Sequence, residues 1–305
     1  MMNKKKIISI ILQGICLSII IISTQKIYAQ EKSRIKNEIK IPDSSHVQIL
    51  TTHDGSTNFG RIIEIGENEI KFETEIGILT ISILKIKEIK EVSTTSFRNG
   101  QYWYQNPNDT RLYFAPTAYT LKQRDGYFAD YYIFFPMCAY GLTDNITIGG
   151  GISLLPGIDI NKQIFYLTPK MGLKATKNIN FALGALLIKL PDFDDDDDSQ
   201  MVGILYGVST FGKPDECVTL GFGYGFVGSD LAEKPMVTIG GEKRLSRRIS
   251  FVTENWIFPG VDRPLISYGI RLFGEKLSTD LALFNTIGKD TIFPGFPYID
   301  FVFNF

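Results

Sequence analysis

The sequence predicts an all-β protein: a small N-terminal β domain followed by a C-terminal transmembrane antiparallel β-barrel of about twelve strands. Three observations predict it. A tight polar turn opening an alternating strand recurs through residues 111–305. Longer, variable connections separate the tight turns. The chain also ends on a strand with an apolar residue at every second place. The composition agrees, with 44% hydrophobic residues, 12% aromatic residues and 28 Gly in 305, which excludes a disordered chain.

The first thirty residues carry Lys4, Lys5, Lys6 and Lys26 and no acid. An apolar run from Ile7 to Ile22 follows, and the stretch closes on Ala29-Gln30. A basic head, a short apolar middle and a small residue at the end predict a secretory signal peptide in 1–30. The run is short for an uncleaved anchor, which needs about 20 apolar residues. Ile15 before Cys16 argues against lipidation. Beyond residue 30 the chain holds 28 basic and 33 acidic residues, so no basic field exists to bind nucleic acid. Cys138 and Cys217 are expected as two small apolar residues rather than a disulfide.

Residues 46–92 read as a small β domain. Short alternating segments are separated by His53-Asp54-Gly55-Ser56, Gly66-Glu67-Asn68 and a bend at Gly77. Through Val47-x-Ile49, Asp54-Gly55-Ser56, Gly60-x-Ile62 and Ile70-x-Phe72 the stretch resembles Sm-like and SH3-like modules. The resemblance implies a closed SH3-like small barrel, its motifs mark turns rather than a ligand site, and a periplasmic protein partner is the expectation for residues 46–92. RNA is not expected in an exported compartment, and His53 reads as a turn residue rather than a metal ligand. Residues 93–110 read as a linker. Its Tyr102-Trp103-Tyr104 is open to two readings, satellite packing or an anchor at a membrane rim.

In 111–305 the tight turns centre near 144, 177, 214, 247 and 276, at spacings of 33, 37, 33 and 29. Extrapolation places the first strand at Arg111 and the last at Phe305. Longer connections are expected at Lys122–Gly126, Pro156–Lys162, Pro191–Gln200, Gly228–Pro235, Pro259–Arg263 and Gly288–Phe296. Short turns at one end and long loops at the other describe an outer-membrane barrel, whose closure removes its exposed strand edges. Alternation alone fits a soluble barrel equally well, with the apolar face turned inward. The last strand tips the balance: Tyr298, Ile299, Phe301, Phe303 and Phe305 resemble the C-terminal assembly signal of outer-membrane β-barrel proteins. That resemblance implies outer-membrane lipid and the barrel-insertion machinery of a Gram-negative envelope as partners.

Turning each strand's polar face inward places Arg111, Asp130, Lys170, Lys174, Glu242, Arg244, Glu254, Arg271, Asp280 and Asp300 in the lumen. Five positive and five negative charges suit a self-compensating network that fills the barrel, with a narrow solute channel as the alternative. Enzymes among outer-membrane barrels use a His base, and 111–305 contains none. No catalytic set, cofactor or metal site is therefore expected. The run from Asp192 to Asp198 reads as a solvated acidic loop rather than a Ca²⁺ site. The functional expectation is a structural or binding outer-membrane barrel. Its alternatives are a small-solute channel and a soluble, exported β-rich binding protein.

Overall fold

The computed structural model describes residues 39–98, 101–191, 201–288 and 294–305. Residues 1–30, read above as a signal peptide, and the acidic run from Asp192 to Asp198 lie outside the described residues. The chain divides into two units, one ending at Tyr102 and one spanning Trp103–Phe305.

The first unit is a five-stranded antiparallel sheet of β1 (His46–Thr52), β2 (Thr57–Ile65), β3 (Glu69–Thr74), β4 (Gly77–Ser82) and β5 (Ile86–Ser93). Inward alternation collects Leu50, Ile62, Ile70, Phe72, Ile81, Ile86 and Ile89 into one apolar cluster. Buried Gln48 is satisfied on both sides of its amide: it accepts from Ile62 N at 2.9 Å and donates to Lys40 O at 2.8 Å. His53 is exposed in the β1–β2 turn. There the Thr52 hydroxyl and the Ser56 amide hold the Asp54 carboxyl down to about 2. That stabilisation of the turn is complete above the usual carboxylate range and is lost only as pH falls through about 2.

The strand order is β4-β3-β2-β1-β5. β4 and β5 are the sheet's two edges and are not paired among the described residues, so the closure of the small barrel expected from the sequence is not shown. The 3-10 turn Ile83–Lys85 between them carries the chain across to β1 instead. The linker aromatics pack. Tyr102 stacks on Phe59 at 5.6 Å within this unit.

The second unit is a closed twelve-stranded antiparallel barrel. Its wall is built from β6 (Gly126–Tyr131), β7 (Phe135–Thr143), β8 (Ile146–Ile152), β9 (Phe165–Leu167), β10 (Lys170–Lys174), β11 (Ile179–Lys189) and β12 (Met201–Lys213). It continues through β13 (Glu216–Val227), β14 (Met236–Ser246), β15 (Ile249–Ile257), β16 (Leu265–Phe273), β17 (Leu277–Thr286) and β18 (Phe296–Asn304). Strands β9 and β10 share one wall position, since both pair with β8 and β11. Closure runs through β18 and β6. It is completed by Gly126 N donating to Phe305 O (3.1 Å) and Phe305 N to Gly126 O (2.9 Å). A Cβ on residue 126 would lie 2.5 Å from the Phe305 ring, so a larger residue where the ends meet would make that ring move.

The five tight turns fall where the polar repeats predict them, but the start of the barrel does not. The first wall strand begins at Gly126, not Arg111. Residues 122–125 therefore lie at the tight-turn end, and the first connection at the opposite end is Tyr132–Phe134. That turn escapes a sequence reading because its left-handed positions are Tyr132 (φ 54°) and Ile133 (φ 70°), residues that give no turn signal. The hairpin is low, with six residues in β6 against thirteen in β12.

The side chains face as a membrane barrel requires. Phe222, Ile148 and Phe301 are 60%, 42% and 42% exposed, whereas Arg271 and Asp300 are 0% exposed. Outward Leu183, Leu205, Leu220, Ile239, Phe251 and Leu281 continue the apolar exterior around the wall. Cys138 is a free thiol on this outer face and Cys217 a free, buried thiol on the inner one.

Candidate functional site

The barrel interior is occupied by the chain's own residues 104–123. The segment enters at the tight-turn end, where Arg244 donates to Tyr104 O (2.7 Å) and Asn106 Nδ2 to Pro214 O (3.4 Å). The Arg244 guanidinium also lies over the Trp103 ring, and that of Arg248 over Tyr104. A turn closed by Leu112 N to Ala115 O (2.8 Å), with a bridge between Arg111 and Pro116, forms its tip. The segment leaves where it entered: Thr120 donates to Asp144 O (2.6 Å) and Gln123 N to Asp144 Oδ1 (2.9 Å). Inward glycines make room for it. A Cβ at Gly141 would stand 2.1 Å from Lys122 O, and one at Gly240 2.4 Å from Leu112.

Backbone polar groups cannot enter a barrel unpaired, and the wall supplies their partners. Glu254 is wholly buried, and its Oε2 accepts from the amides of Tyr113, Phe114 and Ala115 at 2.8, 2.9 and 2.9 Å. Trp256 Nε1 donates to the other carboxylate oxygen at 2.7 Å. Thr210 Oγ1 accepts from Ala118 N, and Thr147 Oγ1 from Leu121 N. Lys170 Nζ donates to Thr110 O (2.8 Å) and Thr117 O (3.2 Å), on the two arms of the segment.

Arg271 stands at the centre. Its guanidinium grips Asp280 through Nε (2.7 Å) and Nη2 (2.8 Å), and reaches Glu242 at 2.8 Å. The same fork donates to the Asn108 and Leu112 carbonyls of the inserted segment. Arg111, projecting from that segment, donates to Asp300 Oδ2 at 2.6 Å, where Tyr298 OH also donates at 2.9 Å. Arg244 pairs with Asp215 and lies on the Phe273 ring at 4.1 Å. The charges are thus paired with one another and with backbone carbonyls, the condition under which buried ions are tolerated.

Of the ten residues assigned to the lumen from the sequence, Arg111, Lys170, Glu242, Arg244, Glu254, Arg271, Asp280 and Asp300 are buried inside the barrel. Two are corrected, and a third reaches the lumen by a different route. Lys174 is exposed at the strand end beside the tight turn. Asp130 faces outward, because its neighbours Tyr127, Ala129 and Tyr131 turn inward to join an apolar cluster with Leu112, Tyr113, Phe284 and Tyr298 around the segment's tip. The rule of polar side chains inward fails where the interior itself is apolar. Arg111 enters on the inserted segment rather than on a wall strand. In the last strand Tyr298 is buried inward, while Ile299, Phe301, Phe303 and Phe305 line the outer face.

Between the inserted segment and the wall lies a cavity of about 170 Å³. Phe114, Met137, Leu186, Ile204, Val208 and Met236 supply apolar surface, and Arg111 and Lys170 are the only formal charges on its lining among the described residues. No local pattern of residues signals this space, since it exists only once the segment is placed. In the first unit, His46 Nδ1 lies 2.9 Å from Asp43 Oδ1 and 3.9 Å from Glu91 Oε1 at the surface, an ion-pair cluster that the sequence reading also missed.

No protein-family model and no curated protein sequence matches the chain. Solved structures similar to it include a loop L8 deletion mutant of OmpT, an outer membrane protein of Vibrio cholerae, at 8% identity and a TM-score of 0.33. That match covers 86% of this chain and 97% of the other. OmpF of Salmonella typhi in complex with daunomycin is similar at 9% identity and a TM-score of 0.32, covering 86% and 96%.

Proposed function

We propose that the chain is an outer-membrane β-barrel closed by its own inserted segment, with a structural or binding role and no catalysis. The observation that carries this reading is the inverted distribution of side chains: apolar outside, paired charges inside. Water on both faces would leave a large apolar exterior uncovered, whereas a bilayer covers it. The tight turns then face the periplasm, and the periplasm is the compartment we propose for the N-terminal unit. Its strand order and the 3-10 turn before β5 support an SH3-like reading, and a protein partner is the ligand proposed for it. Catalysis has no support from the barrel's chemistry: the unit holds no His, and the Glu254 carboxylate is taken up by three amides and an indole.

The test combines two measurements on the purified full chain. Heat-modifiable migration and a requirement for detergent are expected, and recovery of folded protein in plain buffer contradicts the reading. In planar bilayers the protein is expected to be silent across salts and voltages. Steady conductance would favour the narrow small-solute channel instead.

The assembly signal has a physical basis in the closure. Phe305 donates one of the two hydrogen bonds that join the chain's end to Gly126, accepts the other, and adds an apolar ring to the outer face. Deleting Phe305 is expected to lower the folded, membrane-inserted fraction several-fold at equal expression. Unchanged insertion on fractionation would remove this residue from the signal.

A further inference from the structure

The luminal cavity has features that the closing of the barrel does not use. Its volume of about 170 Å³ is close to that of an apolar cavity of about 150 Å³ known to hold benzene. The walls combine aliphatic and aromatic surface from Phe114, Met137, Leu186, Ile204 and Met236. Two cations, Arg111 and Lys170, border it, and among the described residues no carboxylate does.

Both cations have hydrogen-bonding capacity left over. Arg111 is 5% exposed, and its Nε is a buried N–H with no acceptor, although the two Nη atoms are engaged by Asp300 and the Tyr113 carbonyl. An unmade hydrogen bond of this kind on a charged group is costly. The Lys170 ammonium has three donors and places two, on Thr110 O and Thr117 O. No ion pair within 4.0 Å involves it among the described residues, though Asp109 on the inserted segment contributes an attractive field.

We propose that this cavity binds a small monocarboxylate whose apolar body is about the size of one aromatic ring. Its carboxylate accepts from Arg111 Nε and Lys170 Nζ, and its body lies against Leu186, Ile204 and Met236. The proposal rests on the closed-barrel reading above and names the ligand class of that interior. A monoanion fits better than a dianion, since Arg111 is already paired with Asp300 and only the Lys170 charge has no ion-pair partner among the described residues. A neutral apolar molecule would fill the volume and leave the Arg111 N–H unpaired.

Trp256 borders the cavity and provides the readout, because the chain has only two Trp. In full-length W103F protein in detergent micelles, sodium benzoate is expected to change Trp256 fluorescence saturably, with benzyl alcohol as the neutral comparison. Lys170→Met is expected to weaken benzoate about tenfold, the scale of one charge-assisted hydrogen bond, and to change benzyl alcohol less than about twofold. Ile204→Phe, which fills the cavity without touching a charge, is expected to weaken both by about tenfold or more. The proposal is overturned by an absent or non-saturable benzoate response, by benzoate binding unchanged in Lys170→Met, or by binding that survives Ile204→Phe. Heat-modifiable migration is read on the same samples. Intact migration with no benzoate response removes the ligand and leaves the barrel reading standing. Loss of the folded band in the parent protein removes the barrel reading and the ligand with it.

Discussion

Arg271→Met is expected to cost about 3–5 kcal/mol, the usual penalty for removing one partner of a buried ion pair. The cause is what the change leaves behind. Asp280 loses both arms of a bidentate grip, Glu242 loses its only ion-pair partner among the described residues, and the Asn108 and Leu112 carbonyls lose their donor. Four acceptors would then stand dehydrated at the barrel's centre. Arg271→Lys restores the charge but not the planar fork, so it is expected to recover part of the loss. Neutralising the acids as well, in an Arg271→Met, Asp280→Asn, Glu242→Gln variant, is expected to be less destabilised than Arg271→Met alone. Urea unfolding in lipid vesicles followed by Trp fluorescence measures the series. An Arg271→Met midpoint equal to that of the parent would show that the network does not hold the interior together.

Replacing Pro107–Tyr119 with a Gly/Ser linker of the same length is expected to turn a silent protein into a conducting one. The segment enters and leaves at the same end, so a flexible substitute can lie outside the lumen while the wall keeps all twelve strands paired. Glu254 and Asp300 would then lose their partners on the segment, and Arg271, still paired with Asp280 and Glu242, would face water rather than backbone carbonyls. Step-like conductance in planar bilayers, absent from the parent, is the predicted outcome. A folded variant that stays silent would mean that the outer loops, not the segment, close the barrel. Glu254→Gln is a milder companion. It keeps an acceptor for the amides of Tyr113, Phe114 and Ala115 but removes the charge that strengthens those bonds.

Much of the barrel was legible because its signals are local. Polar turns such as Asp144-Asn145 and Arg247-Arg248 announce themselves, and a two-residue period in Phe222, Tyr224 and Phe226 fixes one face per strand. Charged residues of the middle strands also read correctly, since Arg271 and Asp280 can lie only on the sheltered face of a wall whose other face is apolar. What failed was non-local. Nothing in Arg111–Thr120 separates a wall strand from a segment threaded through the lumen; both alternate, and only the partners differ. That one error displaced the first strand to Arg111, while the Tyr132–Phe134 turn carried no turn residues and Asp130 broke the polar-inward rule beside an apolar interior. The cavity and the three-amide cradle of Glu254 were beyond reach for the same reason.

The central claim is that the apolar face of the wall meets hydrocarbon. Its most direct test is lipid quenching of a single indole placed on that face. In a W103F, W256F background, Phe222→Trp is reconstituted into vesicles of ordinary and of chain-brominated lipid, with a Trp in place of inward Val252 as the comparison. Strong quenching at position 222 and little at 252 is the predicted result. Equal fluorescence in both lipids at position 222, in protein that remains folded, would contradict the account.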